Sequence, residues 1–262
     1  MTGALRLVFI GGRISYRALF NWIHPAMYIP TMLLGPIFQI LFFVYLGRFN
    51  HLRSDSYFIV GNAVQMSGMA GIYASTMSIA NERQFGTLAP LLATPAPRFP
   101  IFIGRMLPVA ANGVLVSAFG FCVGAALLHF RPPLASIPAL ALVVLVCVFS
   151  CTSFGFTLGS FGMRARDVFL TANLAYYLMW LFCGVNVPLS ALPGWMVTIG
   201  RGLPFTHGIA AARGLAGGAS LGAVHGQVLA ELGVGAAWLI LAFALFRVFE
   251  WEGRRRASLE TY

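Results

Sequence analysis

Long runs of uncharged residues constrain this chain more than any other feature of its sequence. Five runs contain no Asp, Glu, Lys or Arg, and a sixth is interrupted only by Glu231. About 20 apolar residues are enough to cross a hydrocarbon core about 30 Å thick. The runs predict an all-α polytopic membrane protein with six transmembrane helices, at 25–46, 57–80, 103–128, 134–160, 168–187 and 228–249.

The charge content supports this prediction and argues against one function. Charged residues make up 9% of the chain, whereas soluble domains average roughly 25%. We therefore expect a single transmembrane domain over 1–262, with no room for a separate soluble domain. All 17 basic residues are Arg. Because a Walker A phosphate loop needs a Lys, we expect no nucleotide site or other cofactor in this chain and do not expect it to be an enzyme.

The arrangement of the Arg residues predicts the orientation of the chain. If the N-terminus is inside and the chain crosses six times, twelve Arg face the cytoplasm and five face outward. The positive-inside rule therefore favours two cytoplasmic termini. We expect a multi-pass protein of the bacterial cytoplasmic (inner) membrane. The dispersed Arg residues argue against a nucleic-acid partner.

Residues 4–22 predict an interfacial amphipathic helix at the start of the chain. At about 100° per residue, Arg6, Arg13 and Arg17 fall within about 20° of one helical direction. Such a face meets lipid headgroups or a cytosolic partner. An irregular basic tail is the alternative.

The connection between the second and third predicted spans, residues 82–94, predicts a short cytoplasmic helix. A charged pair opens it, a Gly-Thr pair can form a turn and helix cap, and three Leu recur at helical spacing. Prolines at 95 and 97 end it. An ordinary loop is the alternative. The residues concerned are Glu82, Arg83, Phe85, Gly86, Thr87, Leu88, Leu91 and Leu92.

This segment resembles the signature segment of ABC-2 type transporter permeases, the membrane subunits of ATP-driven exporters of drugs, lipid-linked glycans and related amphiphiles. Gln84 and Ala89 depart from it, since the family often has Glu at both places. The resemblance implies a second permease copy or paralogue as a partner, together with two ATPase subunits that bind ATP and Mg. It also implies that 82–94 docks on the ATPase, flanked by the helix at 4–22.

Five polar residues inside the predicted spans are candidates for a translocation path, because such residues usually face protein or a water-filled cavity. They are Asn62, Gln65, Asn112, Asn173 and Glu231. Asn62 and Gln65 lie three apart on one helical face, where helix packing explains them as well as transport does. Glu231 lies near the outer end of the last span, where it could serve transport, reach water or pair with Arg213.

Residues 188–227 are too broken by Pro and Gly to span the membrane, yet too apolar for a solvated loop. They predict two short external half-helices that dip into the outer leaflet, a pattern similar to that of ABC-2 permeases. His207 is either an interfacial or capping side chain or a proton-linked group. The four Cys residues predict buried free thiols rather than disulfides or a metal site.

The sequence thus predicts the permease subunit of an ATP-driven exporter of an apolar or amphiphilic cargo, such as a drug, lipid or secondary metabolite. A lipid-linked glycan exporter of the same family is the alternative. A proton-driven secondary transporter that uses Glu231 and His207 is a third interpretation. A membrane-embedded enzyme is disfavoured, since the seven acidic residues are spread along the chain.

Overall fold

The computed structural model describes residues 34–84, 98–161 and 167–256, and these ranges contain helices and turns without a strand. The predicted all-α class is confirmed. The predicted interfacial helix at 4–22 and most of segment 82–94 lie outside the described residues. The helices are α1 Gly35–Phe49, α2 Asp55–Gln84, α3 Arg98–Leu128, α4 Ile137–Phe161, α5 Val168–Phe182, α6 Gly194–Gly202, α7 Thr206–Ala216 and α8 Leu221–Arg256.

Three of the six predicted spans correspond to described stretches that are long and apolar enough to cross a membrane. These stretches are Pro108–Leu128, Leu134–Phe161 and Leu221–Phe249. Helices α1 and α5 are apolar but have 15 residues each within the described ranges. Helix α2 has 30 residues and is therefore long enough to cross a membrane. Its polar side chains make it less apolar than the three stretches named above.

Helix α2 occupies the centre of the described bundle. It packs against α1, α3, α4, α5 and α7. Five polar side chains on it are buried although they lie at membrane depth in the predicted span: Asn62, Gln65, Ser67, Ser75 and Thr76. Polar groups inside a membrane face protein rather than lipid, so the composition of α2 agrees with its central position.

Glycines allow the neighbouring helices to approach α2 closely. A Cβ at Gly113 of α3 would lie 2.6 Å from the Ser67 carbonyl oxygen, and one at Gly120 would lie 3.2 Å from Ala63. On α4, a Cβ at Gly155 would lie 2.7 Å from the Ile72 carbonyl oxygen. Small residues are what close helix packing in membranes requires. Gly124 of α3 faces α2 as Gly120 does, since a Cβ there would lie 2.5 Å from the Ile59 side chain.

Two short helices, α6 and α7, occupy the segment in which two half-helices were predicted, and we call them the first and second half-helix. Together with the turns at 50–54 and 129–133 they form one end of the bundle, the half-helix end. Helix α8 begins at Leu221, earlier than the predicted 228. Gly222 and Gly226 weaken the helical signal there, but the Ser220 hydroxyl caps the Ala223 amide at 3.3 Å.

The cysteines are free, and three of them, Cys147, Cys151 and Cys183, are buried as predicted. Cys122 corrects the prediction because it is exposed. Gly120 and Gly124 turn one side of α3 toward α2, and Cys122, two residues from each, lies on the opposite side of that helix.

Candidate functional site

The first group of predicted path residues forms a layer of side-chain amides across the bundle. Gln39 of α1 donates from Nε2 to Asn62 Oδ1 and to Gln65 Oε1 of α2, both at 2.8 Å. Asn62 in turn donates from Nδ2 to the Phe58 carbonyl and to Asn186 Oδ1, again at 2.8 Å. The layer therefore joins α1, α2 and the turn after α5 through uncharged groups.

One donor beside this layer has no hydrogen-bond partner among the described residues, the indole Nε1 of Trp180. The side chain of Gln65, which has no exposed surface, interacts with Tyr176 of α5 as well as with Gln39. Trp180 packs edge-to-face on Phe43 of α1, with ring centroids 5.9 Å apart, and lies 6.1 Å from the ring of Tyr176. A buried donor without an acceptor is unfavourable. The seam between α1, α2 and α5 can therefore accept a molecule that offers uncharged oxygen or nitrogen acceptors.

Asn173 and Asn112 lie elsewhere in the bundle. Asn173 of α5 accepts from the Tyr73 hydroxyl of α2 at 2.7 Å and donates to the Phe169 carbonyl of its own helix at 2.8 Å. Asn112 is buried on α3, next to the glycine that packs on Ser67. Both amides lie beside α2, and the hydrogen bonds of Asn173 go to Tyr73 and Phe169 rather than to the four-amide layer.

Glu231 is buried, with 1% of its surface exposed, and it hydrogen-bonds to the start of the second half-helix. Its Oε1 accepts from the Phe205 amide at 2.9 Å and its Oε2 from the Gly208 amide at 3.0 Å. The Ser150 hydroxyl of α4 also donates to Oε1. The suggestions that Glu231 reaches water or pairs with Arg213 are wrong, because the side chain is buried and its oxygens accept from backbone amides of Phe205 and Gly208.

Arg213, in the last turn of the second half-helix, binds backbone carbonyls instead of a carboxylate. It donates to the carbonyls of Tyr57, Gly184 and Val185 at 2.6 to 3.3 Å. Its guanidinium carbon lies 3.5 Å from the centroid of the Tyr57 ring, within cation–π range. Burial lowers the pKa of Arg213 to about 10, so it stays protonated at neutral pH.

His207 lies on the same half-helix, and its Nε2 is 3.1 Å from the Arg201 carbonyl oxygen of the first half-helix. This contact agrees with an interfacial or capping side chain. Glu231 and His207, the two residues of the proton-driven interpretation, thus make separate contacts. Within the described part of the chain, no group of three or more His, Cys, Asp or Glu could hold a metal ion.

Only two of the residues predicted to couple this chain to an ATPase lie within the described residues. Glu82 and Arg83 belong to the last turn of α2. The other members of the set lie outside the described residues: Phe85, Gly86, Thr87, Leu88, Leu91, Leu92, Arg6, Arg13 and Arg17.

Sequence reasoning missed three participants in these contacts: Gln39, Asn186 and Phe205. Gln39 and Asn186 carry the same signal as Asn62, since each is a polar residue within an uncharged run and inside a predicted span. Phe205 could not be found in this way, because it contacts Glu231 through its backbone amide.

Comparisons with known proteins agree with this architecture. The sequence model of the family described as "ABC-2 type transporter" matches residues 13–216. The inner membrane transport permease YhhJ of Escherichia coli K12 is 25% identical over 180 residues, which are 68% of this chain and 48% of YhhJ. The probable multidrug ABC transporter permease YbhR of the same organism is 25% identical over 153 residues, 58% of this chain and 41% of YbhR. The aligned part of this chain spans less than half the length of either relative.

Proposed function

Because the chain belongs to the ABC-2 type transporter family, whose members are membrane components of transporters, we propose that it is the permease subunit of an ATP-driven exporter. A separate ATPase subunit binds ATP and Mg, and it docks on the segment 82–94. The cargo is an apolar or amphiphilic molecule such as a drug, lipid or secondary metabolite. The name of the relative YbhR, a probable multidrug permease, supports a drug-like cargo.

The observation that carries this proposal is the continuity of α2. This one helix of 30 residues runs from Asp55 at the half-helix end to Gln84, where the coupling segment follows. Five other helices pack on it. Interiors are densely packed and transmit strain, so a force applied by an ATPase beyond Gln84 would reach the whole bundle through α2.

The amide layer on α2 supports an uncharged path for the cargo. We assign the path to Asn62 and Gln65 with Gln39 and Asn186, and keep Asn112, Asn173 and Glu231 as residues that shape it. The Trp180 indole donor, which has no partner among the described residues, favours a cargo with carbonyl, ether or hydroxyl oxygens. This layer of amides contains no charged side chain that could pair with a charged headgroup.

The assembly follows from the family and from the Arg distribution. We propose two ATPase subunits and a second permease copy or paralogue, in the cytoplasmic membrane of a bacterium, with both termini in the cytoplasm. The half-helices then lie in the outer leaflet, with lipid around the apolar outer faces of the spans. The relative YhhJ is an inner membrane permease, which supports this location.

The test changes the coupling segment and measures ATPase recovery and transport. Gly86→Pro and Leu91→Asp should insert in the membrane normally but lose cargo-dependent ATPase activity or fail to co-purify the ATPase. Leu52→Asp is the matched control, since Leu52 is exposed in the turn at the opposite end of α2. Wild-type complex recovery and transport in both coupling variants would overturn the assignment of 82–94. An oligomer that purifies without ATPase and transports with a proton gradient would overturn the ATP-driven mechanism.

A further inference from the structure

The second half-helix begins without a cap of its own. The residue at its N-cap position is Phe205, which makes no side-chain capping bond. Good N-caps are Ser, Thr, Asp or Asn, which accept from the first free amides. Phe205 also has a φ of +80°, a conformation that is unfavourable for a bulky residue. The start of this helix therefore depends on groups from elsewhere in the chain.

Glu231 supplies the missing acceptors from a different helix. Its two carboxylate oxygens accept from the amides of Phe205 and Gly208, one each. An anion at a helix N-terminus is also favoured by the helix dipole. We propose that Glu231 is a positioning residue that locks the second half-helix to α8 and thereby keeps Phe205 in its strained conformation. We call Glu231, Phe205 and Gly208 the latch.

The latch reaches α2 through the Phe205 ring. Phe205 is fully buried, and its ring lies in a notch at Gly68 of α2, where a Cβ would collide with its Cζ. The latch thus connects the half-helix end to the middle of the helix that leads to the coupling segment. When α2 and α8 move relative to each other, they must either carry the latch with them or break it.

The exchange of Glu for Gln separates a latch from simple packing. Gln has the same shape, but it offers one acceptor oxygen where the carboxylate offers two, and its amide would face a backbone donor. If Glu231 only fills space, Gln should be tolerated. If Glu231 caps the half-helix, the Gln variant must lose the hydrogen bond to one of the two amides, that of Phe205 or that of Gly208.

Cys147 is a native reporter of that release. It is fully buried, and its Sγ lies against Gly208 at the start of the half-helix. The experiment treats the full chain in nanodiscs with N-ethylmaleimide and follows labelling of each Cys by peptide mass spectrometry. Cys122, on the outer side of α3, is followed in the same samples as an internal control whose labelling should not differ between the variants. No ATP, ATPase or cargo is used, so the outcome is independent of the proposed function.

Glu231→Gln should label Cys147 about tenfold faster than the wild type or more, because a lost hydrogen bond to a charged group shifts an opening equilibrium by at least that factor. Asp55→Asn, which removes a carboxylate from the Arg48 ion pair at the surface, should leave the rate unchanged. A wild-type rate in folded Glu231→Gln would overturn the proposal. If that variant does not fold, Glu231→Asp replaces it. The proposal then requires faster labelling, because the shorter side chain cannot reach both amides, and a wild-type rate would refute it.

Discussion

Replacement of Arg213 by Met should destabilise the fold strongly, although no acidic side chain is lost as a partner. Met keeps much of the length and apolar stem of Arg but donates no hydrogen bond. Three carbonyls would lose a charged donor, those of Tyr57, Gly184 and Val185, although Gly184 keeps a bond from the Tyr57 hydroxyl at 3.3 Å. A hydrogen bond that involves a charged group contributes about 1.5–3 kcal/mol. Arg213 is only partly buried, so water can relieve part of this, and we expect a loss of about 3–5 kcal/mol in the free energy of unfolding.

Arg213→Lys should fall between the wild type and Met, because an ammonium is a compact charge and cannot serve three separated carbonyls as a planar guanidinium does. The assay is unfolding in mixed micelles of dodecyl maltoside and increasing SDS, followed by circular dichroism. Arg201→Met is the matched control, since Arg201 is exposed on the first half-helix, and it should change stability by less than about 1 kcal/mol. If Arg213→Met unfolds at the same SDS fraction as Arg201→Met, the carbonyl contacts do not hold the half-helix end together.

Two further changes test the contacts on α2 and beside it. Gly68→Ala should push the Phe205 ring out of its notch and lower the unfolding midpoint. Phe205→Leu shortens that side chain, so it should recover part of the loss when it is combined with Gly68→Ala. Additive effects of the two substitutions would contradict the contact. Trp180→Phe removes an indole donor that has no partner in the described structure, so stability should stay within about 1 kcal/mol. Cargo-stimulated ATPase activity should nevertheless need a higher cargo concentration for half-saturation, and an unchanged value would remove Trp180 from the path.

The helices could be predicted because the uncharged runs impose them. Each predicted span is helical over most of the part that falls in the described ranges, and the turn signals at 188–227 locate the half-helices. Asn62 and Gln65 were placed on one face by their spacing, and the structure brings them onto the same Gln39 amide. Periodicity is enough for such questions, since both residues belong to one helix.

The partners of the two buried charges could not be predicted. Glu231 and Arg213 have opposite charges and lie near the same end of the bundle, so a mutual pair was a natural expectation. The structure satisfies each with backbone groups instead: Glu231 binds the amides at the start of the second half-helix, and Arg213 binds carbonyls at the start of α2 and in the turn after α5. Backbone groups are the same in every residue, so the sequence contains no signal for them.

The polar character of α2 has a consequence for how the protein is made. A segment enters the bilayer from the translocon only if its own hydrophobicity is sufficient, and polar residues near its centre oppose entry. With Asn62, Gln65 and Ser67 in its interior, α2 is the least able of the long described helices to partition alone. The glycine face of α3 that later covers it is synthesised next. If α2 spans the membrane as predicted, we therefore expect nascent α2 to remain beside the translocon until α3 emerges, so that the two enter the bilayer as a hairpin.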